Sequence, residues 1–153
     1  MKKVKDFMNT RIVSFEQNDS IFKVAKAFSE KNISGAPVVK DKKIIGVISE
    51  SDIVKFMSLK LGKKFDANFS NMSLLVLSFI KDFSKLKDEL KRISKTKVKD
   101  VMSKRIISIS PEENIFDAAD LMEKKDVNRL PVVDNGELVG IITRADLIKA
   151  LVK

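Results

Sequence analysis

Cysteine and histidine are both absent from the 153 residues of this chain. Without cysteine there is no disulfide and no thiolate chemistry, and without histidine the commonest general base and metal ligand is missing. Hydrolytic and metal-dependent mechanisms lose their usual parts. No local cluster of Asp and Glu has ligand spacing, and Asp117, Asp120 and Glu123 recur at helical spacing as a solvated acidic face. An enzyme is therefore not expected, and neither a catalytic residue nor a metal site is assigned. Tryptophan and tyrosine are also absent, and the aromatic residues are all Phe, mostly on apolar faces, which weakens the case for a base-stacking platform. Residues Met1 to Phe15 contain no apolar signal-peptide core, and no run reaches the roughly 18 to 20 apolar residues of a membrane span. These absences lead to the expectation of a soluble cytoplasmic protein with no membrane partner.

What is present is written twice. Residues 4–57 align without a gap onto 98–151 at a constant offset of 94, with 18 identities over 54 positions. Val-Lys-Asp-x-Met recurs at Val4 and Val98, Pro-Val-Val at Pro37 and Pro131, and Gly-x-Ile-[Ser/Thr]-x-x-Asp at Gly46 and Gly140. A copy of this length is marginal alone, whereas 44% apolar content over the whole chain supports one good core, so the copies are expected to fold against each other. The organisation is read as a first unit at 1–57, a connector at 58–97 and a second unit at 98–153. Two copies imply two equivalent sites or one shared cleft.

Within each copy the hydrophobic period switches in a fixed order. Ile12 to Phe15 and Ile106 to Ile109 are short β-branched runs that read as strands. A helix follows each, with a stripe of Ile21, Val24, Ala25 and Phe28 in the first copy and Ile115, Ala118, Ala119 and Met122 in the second. Ser110-Pro111-Glu112-Glu113 has the pattern of a capping box, with Ser110 at the N-cap. The runs ending in Val39 and Val133 lead into turns and return strands, Ile44 to Ile48 and Leu138 to Ile142. Asn135-Gly136 suits a hairpin because both residues tolerate positive φ, and Asp41-Lys42 is less suited. Final helices are expected from near Ser49 and Thr143.

The connector follows another rule. Met72, Val76, Phe79, Phe83, Leu86, Leu90 and Ile93 form a heptad seam, so a long amphipathic helix is predicted, apolar nearly all round over Leu74 to Ile80. It either packs on its own domain or serves a dimer contact. The connector also holds most of the net charge of +9, with 10 basic and 4 acidic residues. That surplus is either a solvated lysine-rich face or an attraction for nucleic acid or an acidic partner.

The ordered motifs, present twice, resemble the CBS domain, the cystathionine-β-synthase-type module, over residues 4–57 and 98–151. The resemblance implies an α+β fold, two βαββα units in a pseudo-two-fold pair (a Bateman module), here with a long helical insertion between them. It implies clefts for an adenosine-containing small molecule (AMP, ADP, ATP or S-adenosylmethionine) acting as regulatory ligand, with no cofactor required. It places ribose-holding roles on Asp52 with Ser49 and on Asp146 with Thr143. It lines the adenine slots with Thr10, Ile12, Ser14, Ser34, Gly35, Ala36 and Pro37, and with Lys104, Ile106, Ser108, Asn128, Arg129, Leu130 and Pro131. The implied protein is a stand-alone regulatory homodimer that signals by conformation to a further protein partner. A nucleic-acid binder using the basic connector, or a dimerisation scaffold indifferent to ligand, are the alternatives.

The residues themselves leave two roles open at the Ser/Thr-x-x-Asp segments. They start helices, where unpaired amides and the positive dipole end favour an anion or a ribose oxygen, and they also have the pattern of a capping box. The two sites are expected to differ. Lys104, Arg105, Arg129 and Arg144 put four cations around the second, where the first has Gly35 in place of Arg129 and Glu50 in place of Arg144. A phosphate-bearing ligand is expected to prefer the second site, unless these arginines serve surface or interface pairs.

Overall fold

A computed structural model describes residues 1–61 and 72–153, with side chains described outside 61–83. The first copy supplies α1 (Ile21–Lys31), β1 (Gly35–Lys40), β2 (Lys43–Ser49) and α2 (Glu50–Leu61); α3 (Met72–Lys95) follows. The second supplies α4 (Ile115–Lys125), β3 (Arg129–Asp134), β4 (Glu137–Thr143) and α5 (Arg144–Lys149). The result is the α+β arrangement the repeats imply, with β1 paired to β2 and β3 to β4. Both hairpins turn through positive φ at two residues, Asp41 and Lys42 (51° and 64°) and Asn135 and Gly136 (49° and 83°). The less suitable pair thus adopts the same twist as Asn-Gly.

The residues gather into two compact bodies, Met1–Ser14 with Pro37–Val47 and Lys104–Lys153, and Phe15–Ala36 with Ile48–Ser103. In the first body Val4, Ile109, Ala118, Met122, Leu130, Val132 and Ile142 form one buried cluster. The opening residues of copy one thus complete the core beneath the hairpin of copy two. Val4 and Lys5 donate their amides to the carbonyls of Glu113 (2.8 Å) and Pro111 (3.1 Å), and Lys2 accepts from the Ile115 amide (3.2 Å). Lys3 and Lys5 clamp the Glu112 carboxylate at 2.5 and 2.6 Å. Hydrogen bonding from Lys3 and then Lys5 holds that exposed carboxyl down to about 2.

The second body repeats this scheme. Val98 and Lys99 donate to Asp19 (2.8 Å) and Gln17 (2.9 Å), and Thr96 accepts from Ile21 (2.8 Å). All three bonds shift by the repeat offset. Here α1, α2 and α3 pack pairwise. Phe15, Ile21, Val24, Phe28, Ile48, Ile93 and Val98 are buried, with Phe15 set edge-on to Phe28 at 6.1 Å.

Several local expectations are corrected. Ile12 to Phe15 and Ile106 to Ile109 are not strands. Ile109 makes one parallel bridge to Val132, donating to the Pro131 carbonyl (3.0 Å) and accepting from Val133 (2.9 Å). The next rung would need an amide hydrogen from Pro131, which has none, and Pro37 stands at the same place in copy one. The capping box at Ser110 is also displaced. Asn114 is the N-cap of α4, its Oδ1 accepting from Phe116 and Asp117 at 2.9 Å, while Ser110 Oγ accepts from Glu112 in the turn before. The Pro111 and Glu113 carbonyls are taken by the opening segment, so the helix begins one turn later. The buried stripes are narrower than expected, because Ala25 and Ala119 are exposed. In α3 the heptad seam fails at Leu90, which is 40% exposed, while Glu89 is 8% exposed and accepts from Arg92 at 3.0 Å. An ionic partner lets a carboxylate occupy an inward position. The all-round apolar stretch from Leu74 to Ile80 lies outside the described side chains.

Candidate functional site

In the first body β3 and β4 pair with Arg129 opposite Thr143. This register brings the start of β3 beside the start of α5, and the Arg144 amide donates to the Asn128 carbonyl at 3.1 Å. Thr143 is the N-cap of α5. Its Oγ1 accepts from the Asp146 amide at 3.3 Å, and Asp146 Oδ2 accepts from the Thr143 amide (2.9 Å) and hydroxyl (2.8 Å). The reciprocal cap fixes the carboxylate. Its other oxygen, Oδ1, lies 3.7 Å from Lys149 Nζ, and the Asp146 side chain is 17% exposed.

Around this point Leu130 and Pro131 are buried, Arg129 is half-buried with its Nε donating to Asn128 Oδ1 (3.0 Å), and Arg144 is exposed. The bridge from Ile109 to Val132 carries the segment with Ile106 and Ser108 along the other edge of β3. Ile106 is half-buried, and Ser108 and Lys104 are exposed. All ten residues expected for the second site thus belong to this body.

The second body repeats the core of the arrangement. The Glu50 amide donates to the Ser34 carbonyl at 2.9 Å. Ser49 donates its amide (2.9 Å) and hydroxyl (3.0 Å) to Asp52 Oδ2, and Ser49 Oγ accepts from the Asp52 amide at 3.2 Å. Gly35 and Ala36 are buried at the start of β1. Of the remaining residues expected for the first site, Thr10, Ile12, Ser14 and Pro37 fall in the other body. Sequence reasoning did not single out the carbonyls of Ser34 and Asn128 as partners of the helix-start amides. The signal was available in their shared offset from those helices. Among the described residues no group of His, Cys, Asp and Glu is placed to hold a metal, and no helix is long and apolar enough to cross a membrane.

The CBS domain family matches this chain twice, at residues 4–59 and 98–153. The chain belongs to the CBS-domain family. As a tandem CBS pair, or Bateman module, it is similar to the uncharacterised protein MJ1426 of Methanocaldococcus jannaschii, with 44% identity covering 97% of this chain and 90% of that one. It is also similar to MJ1232 of the same organism, with 35% identity over 97% of this chain but only 39% of the relative. Among solved structures it resembles the CBS-domain protein CBSX2 in complex with AMP, with a TM-score of 0.71, 26% identity and coverage of 99% and 97%. CBSX2 is a chloroplast protein of Arabidopsis thaliana.

Proposed function

We propose that this CBS pair senses an adenosine-containing ligand and passes the signal on through a change in how its elements pack. The reading rests on the duplicated Ser/Thr and Asp arrangement. In each copy one carboxylate oxygen, Oδ2, takes every capping bond, so capping and ribose recognition do not compete for the same atom. Asp146 Oδ1 then accepts from ribose hydroxyls, Thr143 steadies ribose or phosphate, and the start of β3 with Ile106 and Ser108 forms the adenine slot. The counterpart roles fall to Asp52 and Ser49, with Ser34, Gly35 and Ala36 of the same body. Complex formation with AMP by CBSX2 supports the ligand class.

Lys104, Arg105, Arg129 and Arg144 bias the second site toward a phosphate-bearing ligand such as AMP, because guanidinium groups bind phosphate oxygens in pairs. The first site, with Glu50 and Gly35 in the equivalent places, suits a less anionic adenosine such as S-adenosylmethionine. In this reading the copies at 1–57 and 98–153 carry the sites, and 58–97 relays the change to a protein partner. Such coupling requires the ligand to bind one arrangement more tightly than the other.

Calorimetric titration with AMP, ATP and S-adenosylmethionine tests the assignment. Asp146→Ala abolishes saturable AMP binding and Arg144→Ala weakens it by about tenfold or more, the scale of one charge-assisted contact. Equal binding of AMP by Arg144→Ala and wild type sinks the phosphate assignment. Absence of binding by all three compounds, with folded and ligand-free protein, sinks the sensor itself.

A further inference from the structure

The two bodies differ at a cluster where the repeat keeps the cations and drops the anion. In the first body Lys3 and Lys5 grip the Glu112 carboxylate, Lys3 Nζ on Oε2 at 2.5 Å and Lys5 Nζ on Oε1 at 2.6 Å. The repeat offset carries Lys3 to Lys97, Lys5 to Lys99 and Glu112 to Asn18. Both lysines remain, and an amide stands where the carboxylate was.

The backbone beneath the two clusters is the same. The antiparallel bridge of Lys3 with Asn114 has its counterpart in that of Lys97 with Ser20. The Val4 and Lys5 amides donate to Glu113 and Pro111, and the Val98 and Lys99 amides to Asp19 and Gln17, all four between 2.8 and 3.1 Å. Lys97 and Lys99 therefore leave the chain at the same places around Asn18 as Lys3 and Lys5 do around Glu112. Lys97, Lys99 and Asn18 are all exposed. Asp19, the acid next to Asn18, is engaged by Lys23 at 3.0 Å and by the Glu16 amide at 2.8 Å. Among the described residues no carboxylate pairs with Lys97 or Lys99. Two ammonium groups thus flank a place that holds an anion in the other body.

The same stretch of chain adds Lys91 and Lys95, which share a face at the end of α3 and are exposed. Neither has an ion pair among the described residues, whereas Arg92 is committed to Glu89 at 3.0 Å. We propose that Lys97 and Lys99 form an open clamp for a Glu or Asp side chain of a partner protein, within an acidic segment that continues over Lys95 and Lys91. The group is a carboxylate because the filled clamp holds one, with a lysine on each oxygen. It belongs to an acidic segment because a single exposed pair is worth little, and the neighbouring lysines add contacts only to linked carboxylates. The clamp uses none of the residues assigned to the adenosine ligand, so the proposal stands whether or not a nucleotide binds.

Two measurements on the full chain decide it. In the first, carboxyl NMR follows the titration of Asn18→Glu. The introduced carboxyl titrates well below the usual carboxylate range, as Glu112 does; an ordinary value shows that the lysines do not converge and overturns the proposal. In the second, fluorescence anisotropy reads binding of labelled hexaglutamate at physiological salt to wild type, Asn18→Glu, Lys97→Gln/Lys99→Gln and Ser29→Glu. Asn18→Glu fills the clamp from within, and Ser29→Glu adds the same charge near the far end of α1. Asn18→Glu and the lysine pair variant each weaken binding by about tenfold, and Ser29→Glu leaves it within about twofold, since salt screens a distant charge. Absence of hexaglutamate binding to wild type overturns the proposal, and so does equal weakening by Asn18→Glu and Ser29→Glu, the mark of general charge attraction. A short DNA duplex held more tightly than hexaglutamate, with the same sensitivity to Asn18→Glu, overturns it in favour of nucleic acid.

Discussion

At the scale of single residues, space and hydrogen-bond capacity decide most outcomes. Gly140 lies where β4 meets the opening segment, with Asn9 and Ile141 exchanging both backbone bonds at 2.8 and 2.9 Å. A Cβ there would sit 2.5 Å from Met8 Sδ and 3.3 Å from the Asn9 carbonyl. The Met8 side chain can swing away, but the carbonyl is tied to β4. Gly140→Val should therefore destabilise the protein by about 1–3 kcal/mol, seen as a lower urea midpoint at unchanged slope. Asp146 belongs to the same scale. Its loss removes a cap as well as the assigned ribose contact, costing about 0.5–2 kcal/mol of stability. Asp146→Asn keeps an acceptor for the cap, so a binding defect in that variant with near-normal melting separates recognition from folding.

At the scale of elements, the opening segments show how a short piece of chain is held. The segment at Lys2 to Asp6 forms a single 3-10 turn, Val4–Asp6, and is fixed to the second copy by three backbone bonds, a buried Val4 and the Lys3, Lys5 and Glu112 cluster. The Glu112 carboxyl is lowered from 4.5 to about 2, so its contribution is fully present above 4.5 and is lost as pH falls through about 2. Comparing wild type with Glu112→Gln in denaturant between pH 6 and pH 2 should show wild type more stable at pH 6 and the gap closing as the acid form populates. A gap that stays constant across that range would remove the pairing from the account. Salt should narrow it at every pH, because all three side chains are exposed.

At the scale of the whole molecule, the two copies exchange their opening segments. Val4 is buried against α4 of the second copy, and Val98 belongs to the body that holds α1 of the first. Truncating Val98 should therefore loosen the other copy's first helix. Val98→Ala, at about 1.5–3 kcal/mol, is expected to speed amide hydrogen exchange in Ile21 to Lys31 more than in Ile115 to Lys125, and Val4→Ala to do the reverse. Equal effects on both helices, or an effect confined to the mutated residue's own copy, would contradict the exchange.

The sequence by itself determined the duplication, the hairpins, the helix starts at Glu50 and Arg144, and the Ser/Thr and Asp pairs, because each is a local pattern of turn chemistry, capping or helical period. It also carried the CBS resemblance, since that rests on ordered motifs. Only the tertiary structure decided that Ile106 to Ile109 stops at one bridge, since the missing hydrogen belongs to Pro131 on a neighbouring strand. Only the structure showed that α4 begins at Ile115, since the carbonyls that would start it earlier are taken by Val4 and Lys5, more than a hundred residues away. The seam through Leu90 failed for the same reason: a heptad says which residues share a face, and packing decides whether that face or the one with Glu89 turns inward. Local rules fix what a segment can form, and competition for its hydrogen bonds and buried space from distant residues fixes what it does form.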